Sequence, residues 1–138
     1  MARALAESQR ALPLCLPNPP VGCVVASGSL IRATGYTRAP GQHHAEAMAL
    51  AALPPNPAPF SVYVTLEPCS FYGRTPSCAL ALSHFSVDTV YVGMLDPDPR
   101  NNGKGLDILR RAGIRVEVGL LAEDVAAFLQ PYLWTAAR

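Results

Sequence analysis

Phe60-Ser61-Val62-Tyr63-Val64-Thr65-Leu66-Glu67-Pro68-Cys69 is a strand with an abrupt end. Its β-branched and aromatic residues favour a pleated, half-buried surface, and the proline after Glu67 forces the chain out of a sheet ladder. Downstream, the pattern predicts a helix over 77–84, a buried strand over 87–93, a helix over 105–112, a strand over 114–118 and a closing helix over 122–129. Strands joined by helical crossovers pair in parallel, so the third, fourth and fifth strands are expected to run the same way. Upstream, Val21–Ala26 and Leu30–Gly35 flank Ser27-Gly28-Ser29 and read as a β-hairpin; 44–53, rich in Ala, Met and Leu, reads as a helix stopped by Pro54-Pro55. The expectation is an α/β fold, a three-layer α/β/α sandwich on a five-stranded mixed sheet. Ligands of such sheets collect beyond the carboxyl ends of parallel strands, which sends 67–78 and 93–105 to one place.

At 138 residues the chain suits one domain over 1–138, with one core. Its formal net charge is +1 and its charged residues, 15% of the chain, are scattered, so no basic face argues for nucleic acid and a small substrate is favoured. Met1–Leu12 reads as a short amphipathic helix rather than a signal peptide. No apolar run approaches the roughly 20 residues of a membrane span, so a cytoplasmic protein is expected. There, four cysteines are metal ligands or buried thiols rather than disulfides, and Cys15 and Cys23 read as structural. Fourteen prolines divide the chain into compact elements without making an interdomain linker.

His44-Ala45-Glu46, with Pro68-Cys69 and then Cys78, carries the chemistry. A catalytic zinc takes three protein ligands and keeps one position open for water, and His44, Cys69 and Cys78 supply that number. Zn2+ brings the pKa of its water towards neutrality, and Glu46, two residues after the imidazole, is placed to shuttle the proton. Both ligand segments open helices, whose N-terminal partial charge favours thiolate and hydroxide. A closed structural site would need a fourth ligand from His43, His84, Cys15 or Cys23 and would leave Glu46 unexplained. His43 lacks the glutamate two residues on, and His84 reads as a surface or helix-capping residue.

The blocks Pro17-Asn18-Pro19-Pro20-Val21-Gly22-Cys23-Val24, Gly41–Leu50, Tyr63–Ser70, Tyr72–Cys78 and Asp96–Gly105 resemble the deaminase domain of the bifunctional riboflavin-biosynthesis deaminase/reductases. These belong to the cytidine-deaminase-like superfamily. Eight residues separate Cys69 from Cys78, against two in many cytidine and tRNA-adenosine deaminases. The resemblance implies hydrolytic removal of the 2-amino group from a diaminopyrimidinone ribosyl phosphate. It also implies self-association, as a dimer, and roles for four residues: Asn18 and Arg74 on the pyrimidine, Thr75 shaping its pocket, and Asp96 on the ribosyl side. The plain readings are a turn at Asn18, a capping role for Asp96 and a solvated loop cation at Arg74. Arg32, Arg38, Arg100 and Lys104 are candidate phosphate contacts whose default is exposed charge.

Three departures from the family pattern fall in loops expected around the substrate: Thr37 and Phe71 in place of histidines, and Asp98 in place of asparagine. Asp98 is expected to repel a substrate phosphate. No reductase domain is recognisable within the chain. Two alternatives stand beside the riboflavin precursor: a related deaminase of another base, nucleoside or secondary metabolite, and a catalytically silent, zinc-stabilised binding module.

Overall fold

A computed structural model describes residues 1–71 and 76–135. Five strands, β1 (Gly22–Ser27), β2 (Leu30–Tyr36), β3 (Phe60–Leu66), β4 (Val87–Met94) and β5 (Arg115–Val118), form one sheet in the order β2-β1-β3-β4-β5. β1 is antiparallel to both β2 and β3, whereas β3, β4 and β5 are parallel, as the crossover argument requires. The hairpin turn is Gly28-Ser29, with Ser27 paired to Leu30 and Gly28 at φ +59°.

Helices α1 (Ala2–Gln9) and α5 (Ala122–Leu129) cover one face; α2 (Ala45–Ala51), α3 (Cys78–Ser83) and α4 (Lys104–Arg111) cover the other. The larger core lies beneath α2, α3 and α4, where Val25, Val62, Val64, Val90 and Val92 meet Ala45, Ala49, Leu82 and Leu109. A second cluster joins Leu66, Val125, Leu129 and Leu133. Alternate residues of β3 serve the two sides: Phe60, Val62 and Val64 enter the larger core, while Tyr63 stacks on Tyr91 with ring centroids 4.6 Å apart.

The first helix is shorter than the expected Met1–Leu12. It ends at Gln9, and hydrogen-bonded turns carry the chain past Pro13 and Pro17, whose nitrogens cannot donate. The helix expected over 77–84 keeps Ser77 as its cap, the hydroxyl accepting from the Leu80 amide at 3.2 Å. β3 and α5 have the bounds read from sequence.

Two glycines fix how closely the site-bearing elements approach. A Cβ on Gly35 would overlap the Ala45 carbonyl, so its absence lets the first turn of α2 lie against β2. A Cβ on Gly105 would overlap the Pro68 carbonyl, so α4 meets the loop leaving β3. The carboxyl ends of β3 and β4 and the start of α2 consequently converge. No helix among the described residues is long and apolar enough to cross a membrane.

Candidate metal centre and its cleft

His44 is the N-cap residue of α2, and Glu46 lies in the first turn of the same helix. The imidazole Nδ1 stands 3.8 Å from Cys69 Sγ and 3.5 Å from Cys78 Sγ, and the three donor atoms lie within 4.8 Å of one another. A tetrahedral zinc with Zn–S near 2.3 Å and Zn–N near 2.0–2.1 Å separates its donors by roughly 3.5–3.8 Å. The histidine-to-sulfur separations already have that size. Among the described residues this is the group of His, Cys, Asp or Glu side chains placed to hold an ion, and His43 is outside it.

The second cysteine is tied to the first through the start of α3. The Ser77 hydroxyl donates to the Cys69 carbonyl at 2.8 Å, the Ala79 amide donates to the same oxygen at 3.0 Å, and the Cys78 amide donates to Cys69 Sγ at 3.2 Å. Proton sharing follows from this geometry. A hydrogen bond from the Cys78 thiol, helped by His44, holds Cys69 down to about 4 against the cost of burial. The same hydrogen bond, with burial and the Glu46 carboxylate, pushes Cys78 well up. A divalent cation replacing the shared proton would satisfy both sulfurs, so these residues fit zinc.

Glu46 is only 4% exposed, and burial, then the Cys69 thiolate, raises its carboxyl to about 7 while His44 opposes the shift. Behind it, Cys23 is fully buried, its thiol pushed up by burial and next by Glu46. It packs in the larger core, in keeping with a structural thiol.

His44, Glu46 and Cys69 open onto a cleft of about 670 Å³ that also takes in Asn18 and Asp96. Arg74 and Thr75 lie outside the described residues. Asn18 and Asp96 also do what their plain readings require. The Asn18 amide closes a turn on the Cys15 carbonyl at 2.9 Å, and Asp96 accepts from the Asp98 amide at 3.0 Å. Burial raises the Asp96 carboxyl. All three departures from the family pattern, Thr37, Phe71 and Asp98, line the cleft. The Thr37 hydroxyl is committed to the backbone, accepting from the Val21 amide at 3.0 Å.

Two residues that sequence reasoning passed over, Glu67 in the cleft lining and the buried Asn101, hold the loops around the cleft. Glu67, 3% exposed, accepts from three backbone amides: Asp96 and Gly103 on one oxygen at 3.1 Å each, and Leu106 on the other at 3.2 Å. Asn101, 0% exposed, accepts from the Ser70 amide at 2.9 Å and donates to the Pro68 carbonyl at 3.3 Å and Asp96 Oδ2 at 3.2 Å. Together they lock the loop after β4 onto the loop carrying Cys69. The only available signal was the position of Glu67 at a strand end. Tyr132, Leu133 and Trp134 close another side of the cleft, also unforeseen.

Asp98 is paired with Arg100, which donates to it at 2.6 Å and holds its carboxyl below the usual range. Of the other candidate phosphate contacts, Arg32 lines a separate cavity of about 150 Å³ at the opposite end of β3, and Arg38 stacks on Tyr36.

A zinc-type donor triangle at the carboxyl edge of a mixed sheet, with a buried glutamate one turn away, defines a deaminase-type metal centre. Residues 1–94 match the cytidine and deoxycytidylate deaminase zinc-binding region, and the chain belongs to that family. Within it the chain is similar to riboflavin biosynthesis protein RibD of Escherichia coli, 41% identical over 133 residues, covering 96% of this chain and 36% of that protein. It superposes on RibD of Acinetobacter baumannii with a TM-score of 0.89 at 41% identity, over 96% of this chain and 37% of the other. A diaminohydroxyphosphoribosylaminopyrimidine deaminase/5-amino-6-(5-phosphoribosylamino)uracil reductase from Thermotoga maritima gives 0.87 at 34% identity, over 96% and 38%. The chain therefore spans little more than a third of the length of these relatives.

Proposed function

We propose that the chain is a zinc-dependent aminohydrolase whose substrate is the diaminopyrimidinone ribosyl phosphate of riboflavin biosynthesis, converted to the oxo-pyrimidine with release of ammonia. The observation that carries the reading is the His44–Cys69–Cys78 triangle, its two histidine-to-sulfur edges of tetrahedral size, with Glu46 buried beside it in the cleft. The likeness to RibD proteins over nearly the whole chain supports the substrate, and we take 1–138 to act as one deaminase domain.

In this reading His44, Cys69 and Cys78 hold the metal. Zinc, when bound, makes water a nucleophile at neutral pH. Glu46 would move two protons in turn: one from the attacking water to the ring nitrogen as the C–O bond forms, and then the one left on that oxygen to the amine, which leaves as ammonia when the C–N bond breaks and the carbonyl forms. Burial makes that exchange favourable, since a buried carboxylate binds a proton more readily than an exposed one. Asn18 and Asp96 orient the heterocycle and its ribosyl side, and Arg74 and Thr75 complete the pocket. The cleft leaves room for a small molecule, the scattered charges of the sequence and its net charge of +1 favour such a substrate over a polymer, and a homodimer is the expected assembly.

Ammonia release from the diaminopyrimidinone ribosyl phosphate, compared with cytidine, deoxycytidylate and guanine, is the direct assay. Turnover confined to the first compound is expected. Turnover of another heterocycle with none of this one would favour a second reading, suggested by Thr37, Phe71 and Asp98, in which the same chemistry serves a different aminated ring. Metal content provides a separate check. The purified protein is expected to carry one zinc per chain, and Cys78→Ala to weaken zinc by more than the roughly 10–100-fold that loss of a supporting hydrogen bond costs. Competition with a chromogenic chelator measures this, and unchanged affinity would remove Cys78 from the ligand set.

A further inference from the structure

Phe71 and Asp98, two of the three positions at which the chain departs from its family, are joined through Arg100. The Arg100 Nη2 donates to Asp98 Oδ2 at 2.6 Å, and Nε lies 3.1 Å from both carboxylate oxygens. The Arg100 amide donates to the same carboxylate at 3.0 Å, so backbone and side chain are held by one group. Above, the guanidinium carbon sits 5.0 Å from the centroid of the Phe71 ring. A guanidinium gripped at one edge and stacked on one face has lost most of its rotamer freedom while keeping donors to offer. Nη1 has no partner among the described residues, and the Arg100 side chain is 70% exposed against 11% for Asp98.

The charge around the cleft gives this arrangement a purpose. The described lining residues include four carboxylates, Glu46, Glu67, Asp96 and Asp98, and Arg100 is the one lysine or arginine among them. Glu67 is saturated by three amides, and Asp98 is neutralised by Arg100. Among the described lining residues this is the guanidinium that a phosphate entering beside Glu46 and Asp96 would meet, and planar forked donors match phosphate oxygens.

We propose that Arg100, fixed by Asp98 and Phe71, binds the phosphate end of the substrate and makes the enzyme prefer phosphorylated over unphosphorylated ribosyl pyrimidine. The inference rests on the reading of function given above and names the recognition element of that same site. It reverses the expected sign of Asp98, which orients the cation instead of repelling the anion.

The test compares kcat/KM for the diaminopyrimidinone ribosyl phosphate and for its phosphatase-treated riboside in the zinc-loaded wild type, Arg100→Leu and Arg100→Lys. Arg100→Leu should lower the ratio of the two values roughly tenfold or more, the loss expected for hydrogen bonds to a charged group. Arg100→Lys, which keeps charge without the fork, should recover part of it. A ratio unchanged in Arg100→Leu, including equal loss on both compounds, would overturn the proposal. Should the wild type release ammonia from neither compound, the reading of function fails instead. Calorimetry with ribose 5-phosphate then decides the site: weaker binding to Arg100→Leu supports it, and equal binding, or none to the wild type, overturns it.

Discussion

Glu46→Gln is expected to lower ammonia release at least about a thousandfold while zinc content stays at the wild-type value, within the roughly 10²–10⁴-fold contribution of a positioned acid–base group. The amide has the shape of the carboxyl it replaces, so α2 and the His44 turn need not move. It cannot accept and return a proton. Buried as it is, Glu46 has no free solvent exchange to substitute for it, and burial has already raised its carboxyl to about 7, close to the operating range of a general base. Zinc is measured by elemental analysis and turnover by coupled ammonia detection. A variant that keeps zinc and retains activity within tenfold of wild type would move the proton shuttle to another residue. One that loses zinc as well would place Glu46 in the support of the metal instead.

How far the sequence reached depends on the range of the interactions concerned. β3 and α5 could be bounded to the residue because their signals are local: alternation ending at Pro68 in one, a short apolar helix after Gly119 in the other. The grouping of His44, Cys69 and Cys78 was also legible, since their types and spacing suit one metal ion and the fold brings their donor atoms together. What escaped was every contact in which one loop folds onto another. Glu67 reaches Gly103 and Leu106 across more than thirty residues of chain, and an acceptor of backbone amides leaves no pattern in its partners' identities. The pairing of Asp98 escaped for a local reason: its charge was visible, but the backbone turn that brings Arg100 onto it was not. The closure of the cleft by Tyr132, Leu133 and Trp134 depends on the direction of the chain after α5, which composition does not determine.

Glu67→Ala is expected to be the most destabilising single change outside the larger core. It removes the acceptor for three backbone amides, those of Asp96, Gly103 and Leu106, in a place where water does not readily replace it. With a buried unpaired donor costing about 1–3 kcal/mol, the loss should be about 3–5 kcal/mol after partial relaxation. For a chain of this size that corresponds to a fall in Tm of roughly 10–20 °C, read by calorimetry on the zinc-loaded protein. Glu67→Gln separates this account from simple loss of packing. Its carbonyl oxygen can still serve Asp96 and Gly103, but its amino group faces the Leu106 amide, donor against donor, so a loss of about 1–3 kcal/mol is expected. A Glu67→Gln variant as stable as the wild type, beside a destabilised Glu67→Ala, would mean that volume, not hydrogen bonding, is what Glu67 contributes. The loop it holds carries Asp96 and Arg100, so Glu67→Gln should also raise KM for the phosphorylated substrate more than it lowers kcat. The zinc triangle lies on α2, the loop after β3 and α3, outside the segment released, so the machinery of proton transfer should remain assembled while recognition loosens.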